Sequence, residues 1–375
     1  MQRNVTPPRF EWQQKVESCG MSYHTIDGEV YWDETAHYSF TAAEIDELEA
    51  ATKELQEICI EAAGHVISEK LYDKLRIPPL AIPLIERSWE NDEPSILGRF
   101  DLVYDGHSPP RMLEYNADTP TALLEASVTQ WFWLKDRFPE ADQFNSIHEK
   151  LIEGWKGLKN SIDGALYFSC VKDAAEDLGN LEYLRDTAHQ AGLATEQFFI
   201  EDIGFDSLGS RYVDSTDKII NSMFKLYPWE WLVSEFFGRY LEQSGIILIE
   251  PAWKMILSNK AILPILWELN PRHPNLLEAS FDPGHFRDNF VSKPFLSREG
   301  SNISVHRNGL VTEYDGSYTG QGTVYQELAD MPCFDGNYPV IGSWVIDGEP
   351  AGIGIREDLS RVTTNASRFV PHLFQ

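Results

Sequence analysis

The stretch from Gly98 to Thr121, GRFDLVYDGHSPPRMLEYNADTPT, constrains the chain more than any other part of it. It reads as two short strands, Leu97 to Asp105 and Arg111 to Asn116, closed by a turn rich in Gly, Pro and Asp. Side chains of a strand alternate between faces, so Arg99 and Asp101 project one way while Phe100, Leu102 and Tyr104 project the other. In the second strand the same alternation groups Met112, Glu114 and Asn116 against Leu113 and Tyr115. With the right register, one surface carries an arginine, two carboxylates and an amide, which suits Mg2+ with a cation beside it for phosphate. The solvated face of an edge hairpin fits the same spacing, and the rest of the chain has to decide between the two.

Composition narrows the classes. A chain of 375 residues, 42% hydrophobic and 12% aromatic, can bury a large core and is expected to split into two or three parts. Lys+Arg 31 against Asp+Glu 59 leaves a formal charge of −28, which argues against nucleic acid and anionic membrane surfaces and is compatible with a cationic substrate such as a polyamine. The start, MQRNVTPPRFEWQQK, holds no apolar signal region, and no window of about 18 apolar residues occurs. Cys19, Cys59, Cys170 and Cys333 lie far apart with no zinc spacing, so a reduced, cytoplasmic setting is expected.

Taken in order, residues 1–40 read as aromatic and irregular, with Tyr23, Tyr31, Trp32 and Tyr38 laid across a surface. Thr41 and Glu44 form a capping box for a long helix, whose buried face is Ile45, Leu48, Leu55, Cys59, Ala62 and Val66, and which the prolines at 78–83 end. After the hairpin, Thr119 is placed to cap a helix over Thr121–Arg137, with Pro120 at its first position. Such a helix N-terminus offers free N–H groups to an anion, and it also serves as an ordinary cap. Residues 165–250 alternate strand and helix: Ala165–Cys170, Glu176–Gln190, Gln197–Ile200 and Ile246–Ile249. Trp229, Glu230 and Trp231 read as packing residues near a cleft. No dinucleotide fingerprint follows any of these strands. From 251 come two short apolar helices with Lys260 at the start of the second, then a strand Phe290–Pro294 ending in Lys293. The polar loop SREGSNI follows, then the strand Thr323–Leu328, then a hairpin turned by Asp347 and Gly348. The expected parts are 1–160, with helices and the hairpin, 161–250, an α/β layer, and 251–375, a nucleotide-binding part.

A lysine at a strand end before a Gly-containing loop suits ATP phosphates, because the amine neutralises charge and the loop donates backbone N–H groups. Lys293 and Gly300 fit this, although the loop is not a P-loop, and a lone lysine before a loop is also an ordinary surface feature. The strand TVYQEL can read adenine through its backbone. Glu268-x-Asn270 repeats the pattern of Glu114-x-Asn116; the earlier pair is preferred because Arg99 and Asp101 stand beside it.

From about Arg9 to His372 the chain resembles the synthetase domain of the glutathionylspermidine synthase family. The resemblance is carried by GRFDLVYD, LEYNADTPT, EPAWKMILSNKAILPILWELNP, KPFLSREGSNI, VYQEL and GIREDLSRVTTNASRFVPH, in this order. It implies a mixed α/β, permuted ATP-grasp-like fold with a preATP-grasp-like α/β part, the metal carboxylates preceding the ATP-binding lysines. It further implies Asp101, Glu114 and Asn116 as Mg2+ ligands, and Arg99 and Arg356 as catalytic arginines. Lys260, Lys293, Glu299 and Gly300 then bind the ATP phosphates, and Tyr325, Gln326, Glu327 and Leu328 form the adenine strip. Asp358, Thr363, Thr364 and Asn365 fall nearby, and Thr119, Thr121, Glu176 and Asp177 fall near positions that grip the acid substrate.

The implied enzyme is an ATP-dependent carbon–nitrogen ligase that joins a small carboxylic acid, glutathione-like or peptide, to an amine such as a polyamine through an acylphosphate. Bifunctional members carry an N-terminal cysteine amidase; this sequence starts at the synthetase-like part, and Cys19 and His24 do not suggest that amidase. Glutathionylspermidine synthetase proper and a non-catalytic ATP-binding scaffold are the alternatives.

Overall fold

In the computed structural model, which describes residues 1–375 except Thr319, Asn365 and Ala366, the strand Leu97–Val103 is buried along its whole length. Its neighbours explain this. It is the fourth strand of an antiparallel five-stranded sheet ordered Arg368–Val370, Glu349–Asp358, Tyr338–Ile346, Leu97–Val103, Arg111–Asn116. The sheet therefore joins the opening hairpin to the C-terminal one, which turns through Asp347 and Gly348, both with positive φ. On one face Phe100 stacks on Tyr115 at 3.9 Å, and the helix Ala42–Ser68 covers them. Thr52 of that helix reaches Ser343 at 2.6 Å, and Gln56 accepts from the Tyr115 hydroxyl at 2.8 Å. The opposite face is polar and open.

That long helix has the expected capping box and buries the expected face, including Ile45, Leu48, Leu55, Cys59, Ala62 and Val66. It stops at Ser68, well before the prolines, and Pro83 instead opens a separate helix, Ile82–Glu90. Tyr23, Tyr31, Trp32 and Tyr38 do not lie across a surface: all four are buried. Ala36–Phe40 and Gln2–Val5 form a small sheet with His372–Phe374, and Trp32 stacks on Phe369.

Two further sheets flank the polar face. One is parallel, in the order Ile247–Ile249, Ser222–Leu226, Leu166–Cys170, Thr195–Phe199, with Ala175–Gln190 as its crossover helix. The other is antiparallel, in the order Ala279–Ser280, Thr323–Glu327, Phe290–Pro294, Ser304–Arg307, Leu310–Glu313. Among the described residues no helix is long and apolar enough to cross a membrane.

Candidate active site

The hairpin register brings the polar side chains together. Asp101 pairs directly with Glu114 and Arg99 with Asn116, and residues directly opposite in an antiparallel pair share a face. A bulge follows at once, since Leu102 pairs with Met112 and leaves Leu113 over. Met112 accordingly joins the buried face, and it is Leu113, not Met112, that shares the open face with Glu114 and Asn116. This corrects the strict alternation expected from sequence.

Asp101 is the hub of the polar face. Arg99 Nε donates to its Oδ1 at 2.8 Å, and Arg356 Nη2 to its Oδ2 at 2.6 Å. Arg99 also donates from Nη1 to the Thr121 carbonyl at 2.5 Å. The Arg99 side chain lies over Gly342 of the next strand; a Cβ there would stand 2.9 Å from Arg99 Cδ, so the glycine makes room for it. Glu114 faces Lys260 Nζ at 3.2 Å, and Lys260 donates to the Ser297 carbonyl at 2.5 Å. Lys293 Nζ donates to Gln326 Oε1 at 2.7 Å and to the Leu113 carbonyl at 3.1 Å. Burial works against the Glu114 charge, but Lys260, Lys293 and Arg356 together hold its carboxyl down at about 2. Burial, reinforced by Lys260 and opposed by Glu114 and Asp101, pushes the Lys293 ammonium down to about 8.

These groups, Lys260 apart, line a cavity of about 300 Å3. Of the residues singled out from sequence, Arg99, Asp101, Glu114, Asn116, Thr119, Thr121, Glu176, Asp177, Lys293, Glu299, Gly300, Gln326, Glu327, Leu328, Arg356, Thr363 and Thr364 lie in its wall. Lys260 and Tyr325 do not. Lys260 stands behind Glu114, and Tyr325 meets the Phe290 ring on the other side of its strand. Asp358 also stays out of the wall; its carboxylate holds Ser360 N and Ser367 Oγ, each at 2.8 Å. Asn365 lies outside the described residues. Glu268 is exposed at a helix end, away from the cavity.

The loop 297–303 closes one side. Gly300 has φ +70°, and a Cβ on it would meet Val362 at 2.7 Å and the Thr363 carbonyl at 2.8 Å, so only glycine lets the loop lie against residues 361–364. The helix expected from Thr119 starts later. Its first turn is Leu123 and Leu124, whose N–H groups donate to Asn180 Oδ1 at 2.8 and 3.2 Å, and Glu125–Thr129 form a π-turn before Gln130–Arg137. The cap comes from another element because Ala122, with φ +65°, turns the chain sharply. Thr119 instead accepts from Arg298 Nη1 at 2.9 Å.

Some participants were not singled out from sequence. Arg298 and Arg361 line the cavity, as does Tyr31, whose hydroxyl donates to the buried Glu125 at 2.8 Å. Arg298 has a signal, being one residue from the Glu299–Gly300 pair in a polar loop. Tyr31 has none, since 68 or more residues separate it from every expected site position and only the fold brings it there. Behind the cavity, Lys225 and Asp118 form an enclosed ion pair at 2.5 Å, and Asp118 also accepts from Trp229 N at 2.9 Å.

In a chain that carries −28 overall, Arg99, Lys293, Arg298, Arg356 and Arg361 gather around one cavity and interleave there with Asp101, Glu114, Glu176, Asp177, Glu299 and Glu327, a mixture of charge that suits a polyanion carrying a metal cation. No group of three His, Cys, Asp or Glu side chains placed for a metal occurs among the described residues. The donors present are two carboxylates and an amide. That set fits Mg2+, which takes one or two carboxylates and completes its shell with water and substrate phosphates.

A family model described as glutathionylspermidine synthase preATP-grasp matches residues 3–375. The chain belongs to the glutathionylspermidine synthase family. A Haemophilus influenzae relative that bears the provisional name acid–amine ligase is 43% identical over 385 residues, covering 98% of each chain. The Escherichia coli bifunctional glutathionylspermidine synthetase/amidase is 26% identical, covering 96% of this chain and 63% of that one. Trypanothione synthetase of Crithidia fasciculata is 29% identical, covering 84% and 53%. This family member thus spans between about half and two-thirds of the length of those last two. Among solved structures, a glutathione synthetase-like effector of Globodera pallida in apo form covers 97% of this chain and 96% of its own, with a TM-score of 0.57 at 8% identity, a likeness of fold. The mixed α/β, ATP-grasp-like architecture expected from the sequence is the one found.

Proposed function

We propose that the chain is an ATP- and Mg2+-dependent acid–amine ligase that forms an amide through an acylphosphate. One observation carries this reading: Asp101 and Glu114 stand side by side in the cavity wall, with Arg99 and Arg356 on the first and Lys260 and Lys293 around the second. Carboxylates alone would suit many cations. Carboxylates interleaved with four fixed cations suit a metal nucleotide, whose phosphates need both.

In this reading Asp101, Glu114 and Asn116 hold Mg2+, which neutralises phosphate charge when bound. Lys293 and the backbone of the loop at Glu299 and Gly300 hold the phosphates, Lys260 keeps that loop and Glu114 in place, and residues 325–328 take the adenine. The acid's carboxylate oxygen attacks the γ-phosphorus and releases ADP. Arg99 and Arg356 stabilise the negative charge spread over the transferring group; each such contact supplies about 3 kcal/mol of barrier lowering. The amine nitrogen then attacks the acyl carbon and phosphate leaves. Thr119, Thr121 and Arg298 fit the anionic acid. Glu176 and Asp177, being carboxylates, fit the amine better than the acid they were first matched with. Together with relatives named for spermidine and trypanothione chemistry, they favour a polyamine.

Phosphate release from Mg-ATP tests this, with glutathione, γ-glutamylcysteine and glutamate crossed against spermidine, putrescine and amino acids. Stimulation by one pair, with its amide seen by mass, supports the ligase. ATP binding without turnover under any pair points to a non-catalytic scaffold.

A further inference from the structure

A positively charged amine is no nucleophile, so any ligase of this kind needs somewhere to put the amine's proton. The cavity wall holds one candidate route. Tyr31 lines the cavity, near enough to Arg356 for their charges to interact, and its hydroxyl donates to Glu125 Oε1 at 2.8 Å. Glu125 is wholly buried behind it, on the π-turn, and its second oxygen has no hydrogen-bond partner. Tyr23, also buried, turns its hydroxyl toward the same carboxyl without closing a hydrogen bond. Glu176, from the crossover helix, lines the cavity and faces both tyrosines and Glu125; Asp177 beside it faces Tyr23. A structural carboxylate at zero exposure would be expected to have both oxygens satisfied, as those of Glu250 and Glu357 are.

We infer that Glu125 is the proton acceptor of the amide-forming step, reached from the cavity through the Tyr31 hydroxyl. This deepens the ligase reading and rests on it. The amine, held as an ammonium beside Glu176 and Asp177, gives one proton to Tyr31 Oη while the Tyr31 proton passes to Glu125 Oε1. The free nitrogen lone pair then bonds to the acyl carbon, the bond from that carbon to the phosphate oxygen breaks, and the electron pair leaves with phosphate. The second nitrogen proton departs on the phosphate. Burial, with the Glu176 charge added, pushes the Glu125 carboxyl up to about 8. An ordinary carboxylate would be a poor base for an ammonium that, like lysine's, titrates at about 10, and raising the acceptor narrows that gap.

The test compares wild type, Glu125→Gln and Tyr31→Phe with two nucleophiles, each with Mg-ATP and the acid of the panel above that gives most product. One nucleophile is hydroxylamine, whose nitrogen is already neutral at pH 7 and needs no acceptor. The other is the panel amine that gives most amide. At pH 7.5 both variants should form hydroxamate within twofold of wild type while losing about a hundredfold with the ammonium nucleophile, in the usual range for general-base loss. That deficit should shrink as the free amine becomes abundant, slowly up to pH 8 while Glu125 is still ionising in wild type and by about tenfold per pH unit above it. Equal losses with both nucleophiles, or no loss with the ammonium, overturn the inference. Tyr31→Phe keeps the ring and its packing and removes only the hydroxyl that donates to Glu125, and thermal melts of both variants separate a loss of fold from a loss of the proton route. If wild type makes no hydroxamate with any acid, the ligase reading itself falls and takes this inference with it; hydroxamate from wild type with no use of any ammonium amine overturns the inference alone.

Discussion

Arg356 donates to Asp101 Oδ2 at 2.6 Å although 255 residues separate them in sequence. The bond is possible because Leu97–Val103 and Glu349–Asp358 both pair with Tyr338–Ile346, on opposite edges of it, so one strand spaces the two residues. Asp101 therefore has two guanidinium partners, and removing one leaves its charge compensated. Arg356→Met should keep the melting temperature within a few degrees of wild type. In the proposed ligase it should lower kcat by a hundredfold or more, since the lost charge acts on the transferring phosphoryl group. Thermal melts and phosphate release check the two halves separately.

Glu114 and Glu268 form a contrasting pair. Glu114→Gln should abolish Mg-dependent ATP turnover, while Glu268→Gln, exposed and outside the cavity, should leave it unchanged. Equal loss in both would mean that the Glu268-x-Asn270 pattern holds the metal.

The same carboxylate makes a pH prediction. Its folded value of about 2 lies below the ordinary 4.5, so the folded state favours the charged form. The stabilisation is fully present above pH 4.5 and is lost as pH falls toward 2, because the unfolded chain takes up the proton first. The difference corresponds to at most about 3 kcal/mol. The stability gap between wild type and Glu114→Gln, measured by urea unfolding, should therefore be constant from pH 5 to 7 and narrow below pH 4. A gap independent of pH down to 3 would place Glu114 outside the field of Lys260 and Lys293.

What the sequence showed of this molecule, and what it hid, has a common cause. Local rules gave the capping box at Thr41 and Glu44, the Asp347–Gly348 turn and the two strands of the hairpin, because each depends on residues close in the chain. The bulge at Leu113 was hidden, since alternation counts residues while the register depends on both partners. Ser222–Leu226, an inner strand of the parallel sheet, was missed because Lys225 breaks its apolar run, and that lysine's charge is matched by Asp118, 107 residues away. Tyr31 and Glu125 were missed for the same reason: nothing near either in sequence marks the pair. Most of the cavity wall was legible because it rests on dense polar motifs, whereas the groups behind it depend on tertiary contact.

Gly300→Ala tests the loop. Its φ of +70° is strained for any residue with a Cβ, and the added methyl would press on Val362 and the Thr363 carbonyl. The backbone strain alone is about 1 kcal/mol and acts on a loop at the edge of the cavity, not on the core. The proposed nucleotide site should respond with a KM for ATP raised about tenfold and a nearly unchanged melting temperature. An unchanged KM would detach the loop from the phosphates.

The Lys225–Asp118 pair should behave oppositely, as a matter of stability first. Both side chains are enclosed, and Lys225 also lies over the Trp229 ring at 4.7 Å and donates to the Tyr227 carbonyl at 3.1 Å. Burial drives the Lys225 ammonium down from its ordinary value while Asp118 holds it up, so neither partner is at ease without the other. Lys225→Met strands the Asp118 charge and should destabilise the protein by about 3–5 kcal/mol. Adding Asp118→Asn removes that charge and keeps an oxygen for Trp229 N, so the double variant should regain much of the loss. Urea unfolding of the two single variants and the double measures the coupling. Additive losses would show that the pair is held by its surroundings and not by its own charges.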